Sequence, residues 1–368
     1  MKKVFVFRHS LLRGFLTLFA LAVIMPACQK LHDILPHHNN DPKTVSGSFN
    51  QVNLVASAAS YQAKRVDPLL VNAWGISWSG GGTAWIASQG KGVSAVYDRE
   101  GAQQLAAVSI PSPGGPTGGN PTGTVFNGSP TDFILSNGTA GRFLFVGLDG
   151  VISGWNGGTA ALLIKNNSAT AVYTGLAIAN DGGGSFLYAA NFRARTIDVF
   201  DRTFTAVTSK PFVDPYLPAG YSPFNIQLVG DKLYVAYAKV GPDGRDLKGK
   251  GNGVVNVFST GGVLLKRFAD KGTLNSPWGV AQAPASFFPG TNGQPAILIG
   301  NFGDGRINAY ATDGKFLGQL QVKDKIVEIE GLWAISFAPS TSTIDPNRLY
   351  FAAGPNEEKD GLFGYILK

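Results

Sequence analysis

Beyond residue 70 the chain is a succession of short apolar runs broken by Gly, Asn and Asp. One run recurs. Ala84–Ser88, Phe143–Gly147, Phe186–Asn191, Leu233–Tyr237, Ala296–Asn301 and Arg348–Gly354 are apolar and end on a small, polar or aromatic residue. Each is followed by a turn and a run that alternates with period two: Val93–Asp98, Val151–Asn156, Thr196–Asp201, Gly253–Phe258, Arg306–Tyr310 and Leu362–Ile366. Runs of this length, bounded by turn formers, predict strands. A third run precedes each pair: Asn72–Trp78, Gly123–Asn127, Tyr173–Ile178, Ser222–Gln227, Ser276–Val280 and Gly331–Phe337. A fourth often follows, as in Gln104–Val108, Ala161–Ile164, Val263–Phe268 and Phe316–Leu320.

Six such units predict an all-β chain folded as a six-bladed β-propeller. From Ala84 to Arg348 the second strands recur about every 53 residues, a little above the roughly 40–50 of common blades. The excess falls in Gly- and Pro-rich loops such as 111–122 and 239–252. A lone blade cannot bury both its faces, so each must pack against the next around a ring. The last unit stops after its third strand, whereas residues 49–58 alternate ahead of the first unit. This strand is expected to complete the sixth blade and remove an open edge.

Composition then narrows the chemistry. The four histidines, His9, His32, His37 and His38, and the single cysteine, Cys28, all precede the repeats. Residues 49–368 therefore offer no Ser-His-Asp triad, Cys-His dyad, His-ligated zinc or disulfide. Glycine, at 48 of 368 residues, is about twice as common as in an average protein, as a chain of strands and tight turns requires.

Residues 1–27 read as a leader. Lys2, Lys3, Arg8 and Arg13 precede the apolar run Gly14–Ile24, which is short for a membrane span. Ala27-Cys28 after that run resembles a lipobox, with Met25 where Leu is commoner. Cys28 is the expected lipidation site. Gln29 after it favours the outer membrane of a bacterial envelope, and the bilayer is then a partner through acylated Cys28. Residues 28–48, with His32, His37 and His38, read as a solvated tether. The leader carries much of the net charge of +7, so the body is only weakly basic. It has no basic stripe with interleaved aromatics, and no nucleic-acid partner is expected. A monomer is expected.

The stretches around Asn72–Ser79, Gly175–Asp201, Leu217–Gln227, Gly251–Phe258, Leu274–Pro284, Ile299–Tyr310, Glu330–Ala338 and Leu349–Glu358 resemble an uncharacterised bacterial family of exported six-bladed propellers. The resemblance spans residues 49–368 and implies fold and export, with no activity to transfer. A more distant similarity is to NHL-repeat and gluconolactonase-like propellers. The latter implies a Ca²⁺-type centre for lactone hydrolysis.

Innermost strands of a propeller line its channel, so polar residues at their ends are candidate ligand contacts: Asn72, Asn191, Asn225, Asn301, Asp304, Asn356 and Glu357. Six to eight oxygens of this kind suit Ca²⁺, with Asn301, Asp304 and Glu357 the candidate ligands. The same residue types also serve ordinary turns. Trp74, Trp278 and Trp333 are repeat-equivalent and fit either sugar stacking or inter-blade packing. The Gly114–Gly119 loop lacks the Lys-Ser/Thr and helix of a phosphate loop. Loop Lys239–Lys250 fits a solvated insertion or a partner contact. The expected function is an envelope-anchored, non-catalytic module that binds a protein or glycan without a cofactor. The alternative is an oxygen-ligated, Ca-type lactone or ester hydrolase.

Overall fold

Each expected repeat folds as an antiparallel meander. The computed structural model describes residues 44–288, 290, 294–322 and 325–368, with side chains from Phe49. The leader, Cys28 and most of the tether lie outside the described residues. In the first unit, Ala73–Trp78, Ala84–Ser88, Val93–Tyr97 and Gln103–Ser109 pair in sequence order. The two inner strands are buried on both faces, whereas Gln103–Ala106 at the rim is exposed. This gradient explains why the inner runs read as continuously apolar and the outer ones do not.

The innermost strands of the later units are Pro121–Phe126, Tyr173–Asn180, Tyr221–Val229, Pro277–Ala283 and Leu332–Phe337. Each touches the next, and the sixth returns to the first, so the chain closes a six-unit ring. It is a β-propeller. The third unit has only three strands, Tyr173–Asn180, Ser185–Asn191 and Thr196–Asp201. Its edge is covered by the loop that follows, through a Phe200–Ala206 bridge and a bond from the Val207 N–H to the Val199 carbonyl.

Closure goes further than the expected clasp. The N-terminal strand runs from Thr44 to Ala56, five residues earlier than the alternation starting at 49 indicated. Asn50–Ala56 pairs antiparallel with Leu362–Leu367 and completes the sixth blade. Ahead of that, Thr44, Val45 and Phe49 pair in parallel with Gln319, Leu320 and Val322 of the fifth. One strand therefore joins two blades into a ten-stranded sheet. Asp360 fastens the join, accepting hydrogen bonds from the Ser57 and Tyr61 hydroxyls at 2.9 Å each. The Gly114–Gly119 loop forms part of a short hairpin, Pro111–Ser112 against Gly115–Gly118.

Every innermost strand slips register at the same place. The residues left out of the ladder include Trp74, Thr122, Thr174, Phe224, Trp278 and Trp333. A bulge re-aims its side chain, and here six bulges aim at one axis. The residue after each is small in five units, for a steric reason: a Cβ on Gly75 would stand 2.4 Å from the Thr122 carbonyl oxygen. In the fourth unit Asn225 takes this place, and its Oδ1 lies 2.1 Å from where a Cβ on Gly175 would stand.

Candidate ligand-binding mouth

Four of the bulge residues are large aromatics, and they plug the channel. Trp333 is stacked between Trp74, at 3.5 Å between centroids, and Phe302, at 3.7 Å. Trp278 meets it edge-on and Phe224 lies at 5.7 Å. The indole N–H of Trp333 donates to Asn72 Oδ1 at 2.8 Å, and that of Trp278 to the Thr174 carbonyl at 2.9 Å. The Trp74 Nε1 is buried with no hydrogen-bond partner. Trp74 and Trp278 thus both pack on Trp333, and all three also face a cavity.

The plug divides the channel. On one side a cavity of about 260 Å³ is lined by Gly75, Gly123, Trp278 and Ser336 among others. On the other side lies a cavity of about 680 Å³. The third unit places Thr174 in its wall, where four other units place Trp or Phe, whereas Thr122 of the second unit is fully buried beside it. The floor is Trp74, Phe192, Phe224 and Trp333; the wall is Leu148, Val172 and Thr174. Charged groups stand at the rim: Arg193 and Arg195 from the third unit, Asp243, Arg245 and Asp246 from the fourth, and Glu358 from the sixth. A volume of this size lies within the usual range for small-molecule sites, roughly 300–1,000 Å³.

The fourth unit's long loop leans over this mouth. Arg245 reaches Glu358 at 2.7 Å, and Glu358 also accepts from the Asn72 side-chain amide at 3.0 Å. Lys248 places its ammonium 4.0 Å from the centre of the Phe302 ring, and the Gly249 N–H donates to Asn275. The loop is held by cross-ring contacts to the fifth and sixth units. Asp246 Oδ2 is buried without a partner. Burial raises its carboxyl pKa above the ordinary range, against the opposing pull of the Ser276 hydroxyl, Lys248 and Arg245.

None of the seven residues expected from strand ends lines this cavity, though Asn191, Asn225 and Glu357 stand next to Phe192, Phe224 and Glu358, which do. Asn191 precedes Phe192; its amide donates to Asp198 and its carbonyl caps the turn at Ala194. Asn225 follows Phe224 and donates to the Trp278 carbonyl at 2.8 Å. Asn301 donates to Asp304 and to the Thr273 carbonyl, and Asp304 accepts the Arg306 N–H. Asn356 donates to Asp360, and exposed Glu357 pairs with Lys359, which lowers its pKa. Asn301 and Asp304 share one turn, but Glu357 is engaged elsewhere. Among the described residues no group of three His, Cys, Asp or Glu side chains is placed to hold a metal ion.

Sequence reasoning missed Gln89, Arg193, Arg195 and Glu358. A signal for two of them was present. The residue entering the third strand is Gly92, Gly150 and Gly305 in units one, two and five, all with positive φ. At the matching place the third unit has Arg195, at φ 61°, and in the sixth unit Glu358, at φ 68°, stands in the same turn, four residues ahead of the strand Leu362–Leu367. Arg195, Gly305 and Glu358 each donate an N–H to the residue four earlier, whereas Gly92 and Gly150 close tighter turns onto the residue three earlier.

No family model matches the chain. Two relatives from Acanthamoeba polyphaga mimivirus do. Uncharacterized protein R648 is 33% identical over 336 residues, covering 86% of this chain and 80% of that protein. Uncharacterized protein L690 is 32% identical over 336 residues, covering 86% of each. This chain belongs to their family. The expectation of an exported bacterial family is thereby corrected, because these relatives are viral; the propeller part of that resemblance holds. Among solved structures, virginiamycin B lyase from Staphylococcus aureus shares 13% identity at a TM-score of 0.50, over 87% of this chain and 99% of that one. The α-L-arabinofuranosidase from Fusarium graminearum shares 9% identity at 0.52, over 88% and 98%. At such identity the likeness shows the fold alone, and the two are enzymes of unlike chemistry.

Proposed function

We propose that this protein is a propeller-type binding module whose ligand enters the larger mouth. The observation that carries the reading is the broken symmetry at the axis: an aromatic floor, the small Thr174 in the wall beside it, and charged groups at the rim. A flat or ring-shaped polar molecule would lay its apolar face on the floor and its polar edge on the rim. The loop 240–252 would then be part of the site, which is a reason for its cross-ring contacts. A lipid on Cys28 would hold this module at a membrane through the tether; the intact mass of the processed N-terminus checks that proposal.

The test of the site fills it. Thr174→Phe puts the fourth unit's residue into the third unit, at a position the repeat already accommodates. A ligand that binds only the folded state at a hundredfold excess over its Kd adds about 2.7 kcal/mol of stability. Thermal unfolding of wild type against a panel of saccharides and small organic acids should yield hits that vanish in Thr174→Phe. Hits that persist undiminished would place the site elsewhere.

A further inference from the structure

We infer that the ligand of this mouth is an acidic saccharide, whose carboxylate is received by Arg195 while its ring lies on the floor formed by Phe192, Phe224 and Trp74. This rests on the binding-module reading above and gives it a chemical class.

Arg195 carries the inference. It sits in the left-handed backbone region, which costs an L-residue on the order of 1 kcal/mol or more and which repeat-equivalent units occupy with glycine. The fold therefore keeps a side chain where none is structurally wanted. That side chain lines the cavity, and among the described residues no carboxylate pairs with it. Its neighbour Arg193 is committed to the carbonyls of Ser168 and Ala169. Glu358, the other charged residue in this strained place, is satisfied by Arg245 and Asn72. The mouth is thus left with one uncommitted guanidinium, a planar fork matched to a carboxylate.

The floor adds the rest. Trp74, Phe192 and Phe224 all line the cavity, each packed into the ring with a few per cent of its surface left open toward it. Aromatic rings beside a guanidinium that no carboxylate engages fit the apolar face and the carboxylate of a uronic-acid sugar.

The experiment is calorimetric titration of the full chain with three probes: digalacturonate, the uncharged disaccharide lactose, and benzoate. Digalacturonate should bind, and more weakly at high salt; lactose and benzoate should bind much more weakly. Arg195→Gly should weaken digalacturonate by roughly ten- to a hundredfold, the usual loss for a hydrogen bond to a charged group. Its Tm should be unchanged or higher, because glycine relieves the strain. That pairing separates a lost contact from a lost fold. Lactose binding as well as digalacturonate would overturn the carboxylate while leaving the pocket reading intact. Benzoate binding alone would overturn the saccharide. Silence of all three probes would overturn this inference, and the pocket reading would fall only if the wider panel also failed against Thr174→Phe.

Discussion

The axis of this ring has two unlike halves. Units one, four, five and six aim Trp74, Phe224, Trp278 and Trp333 inward, and those rings close on one another. Units two and three aim Thr122 and Thr174, whose hydroxyls turn back onto carbonyls of neighbouring strands. The backbone is the same in both halves, down to the register slip. The comparison teaches that repetition builds the ring and that departures from repetition build the site. A fully symmetric aromatic axis would be a plugged core, and a fully small one would be an open channel.

That contrast can be broken from either side. The largest expected effect is on the aromatic half: Trp333→Ala removes the ring at the centre of the stack and should cost about 3–5 kcal/mol, read by denaturant unfolding. A loss below about 1 kcal/mol would mean the plug is not core. On the small half, Gly175→Ala should cost about 1–3 kcal/mol, because its new Cβ meets Asn225 and the inner strand must move. Thr174→Phe, by contrast, should change stability by less than about 1.5 kcal/mol while emptying the mouth of ligand, since it uses space already there.

The smaller effects concern charge. Asp360 ties the closing strand, and burial, which alone would raise its pKa, is outweighed by hydrogen bonds from Asn356, Tyr61 and Ser57, so the pKa is lowered. A lowered native value means that its contribution is present above the ordinary carboxylate range and is lost as pH falls through the native value. Wild type should therefore lose more stability than Asp360→Asn on acidification; parallel curves would remove Asp360 from the closure. Asp246 has the opposite sign. Its raised native value means the folded state holds the proton more tightly, so its contribution declines as pH rises through the carboxylate range. Asp246→Asn should be as stable as wild type at neutral pH or slightly more so, checked by thermal unfolding across pH.

Much of this was legible along the chain, for reasons that can be named. Strands such as Phe186–Asn191 and Leu233–Tyr237 are buried on both faces, so their apolar runs are unbroken. The closing strand was legible because a missing outer strand and a spare alternating one are complementary facts. Its continuation onto the fifth blade was not, since parallel pairing of Thr44–Phe49 leaves no local mark. At the site, Asn191, Asn301 and Asn356 drew attention to the correct turns, but their side chains are used up locally. Of their neighbours Phe192 faces the cavity, and Glu358 does so two residues beyond Asn356.

By itself, the sequence determined that this is an all-β repeat protein without histidine or cysteine in its body, because period, turn chemistry and composition are local properties. It also contained the substitution of Arg195 and Glu358 for glycine, visible once the units are aligned. Only the tertiary structure decided what those departures do. Whether an inner-strand residue plugs or opens the axis depends on the five others aimed at the same line, and residues as far apart as Asn72 and Trp333 meet there. That convergence is set by ring closure, which no window of the chain contains.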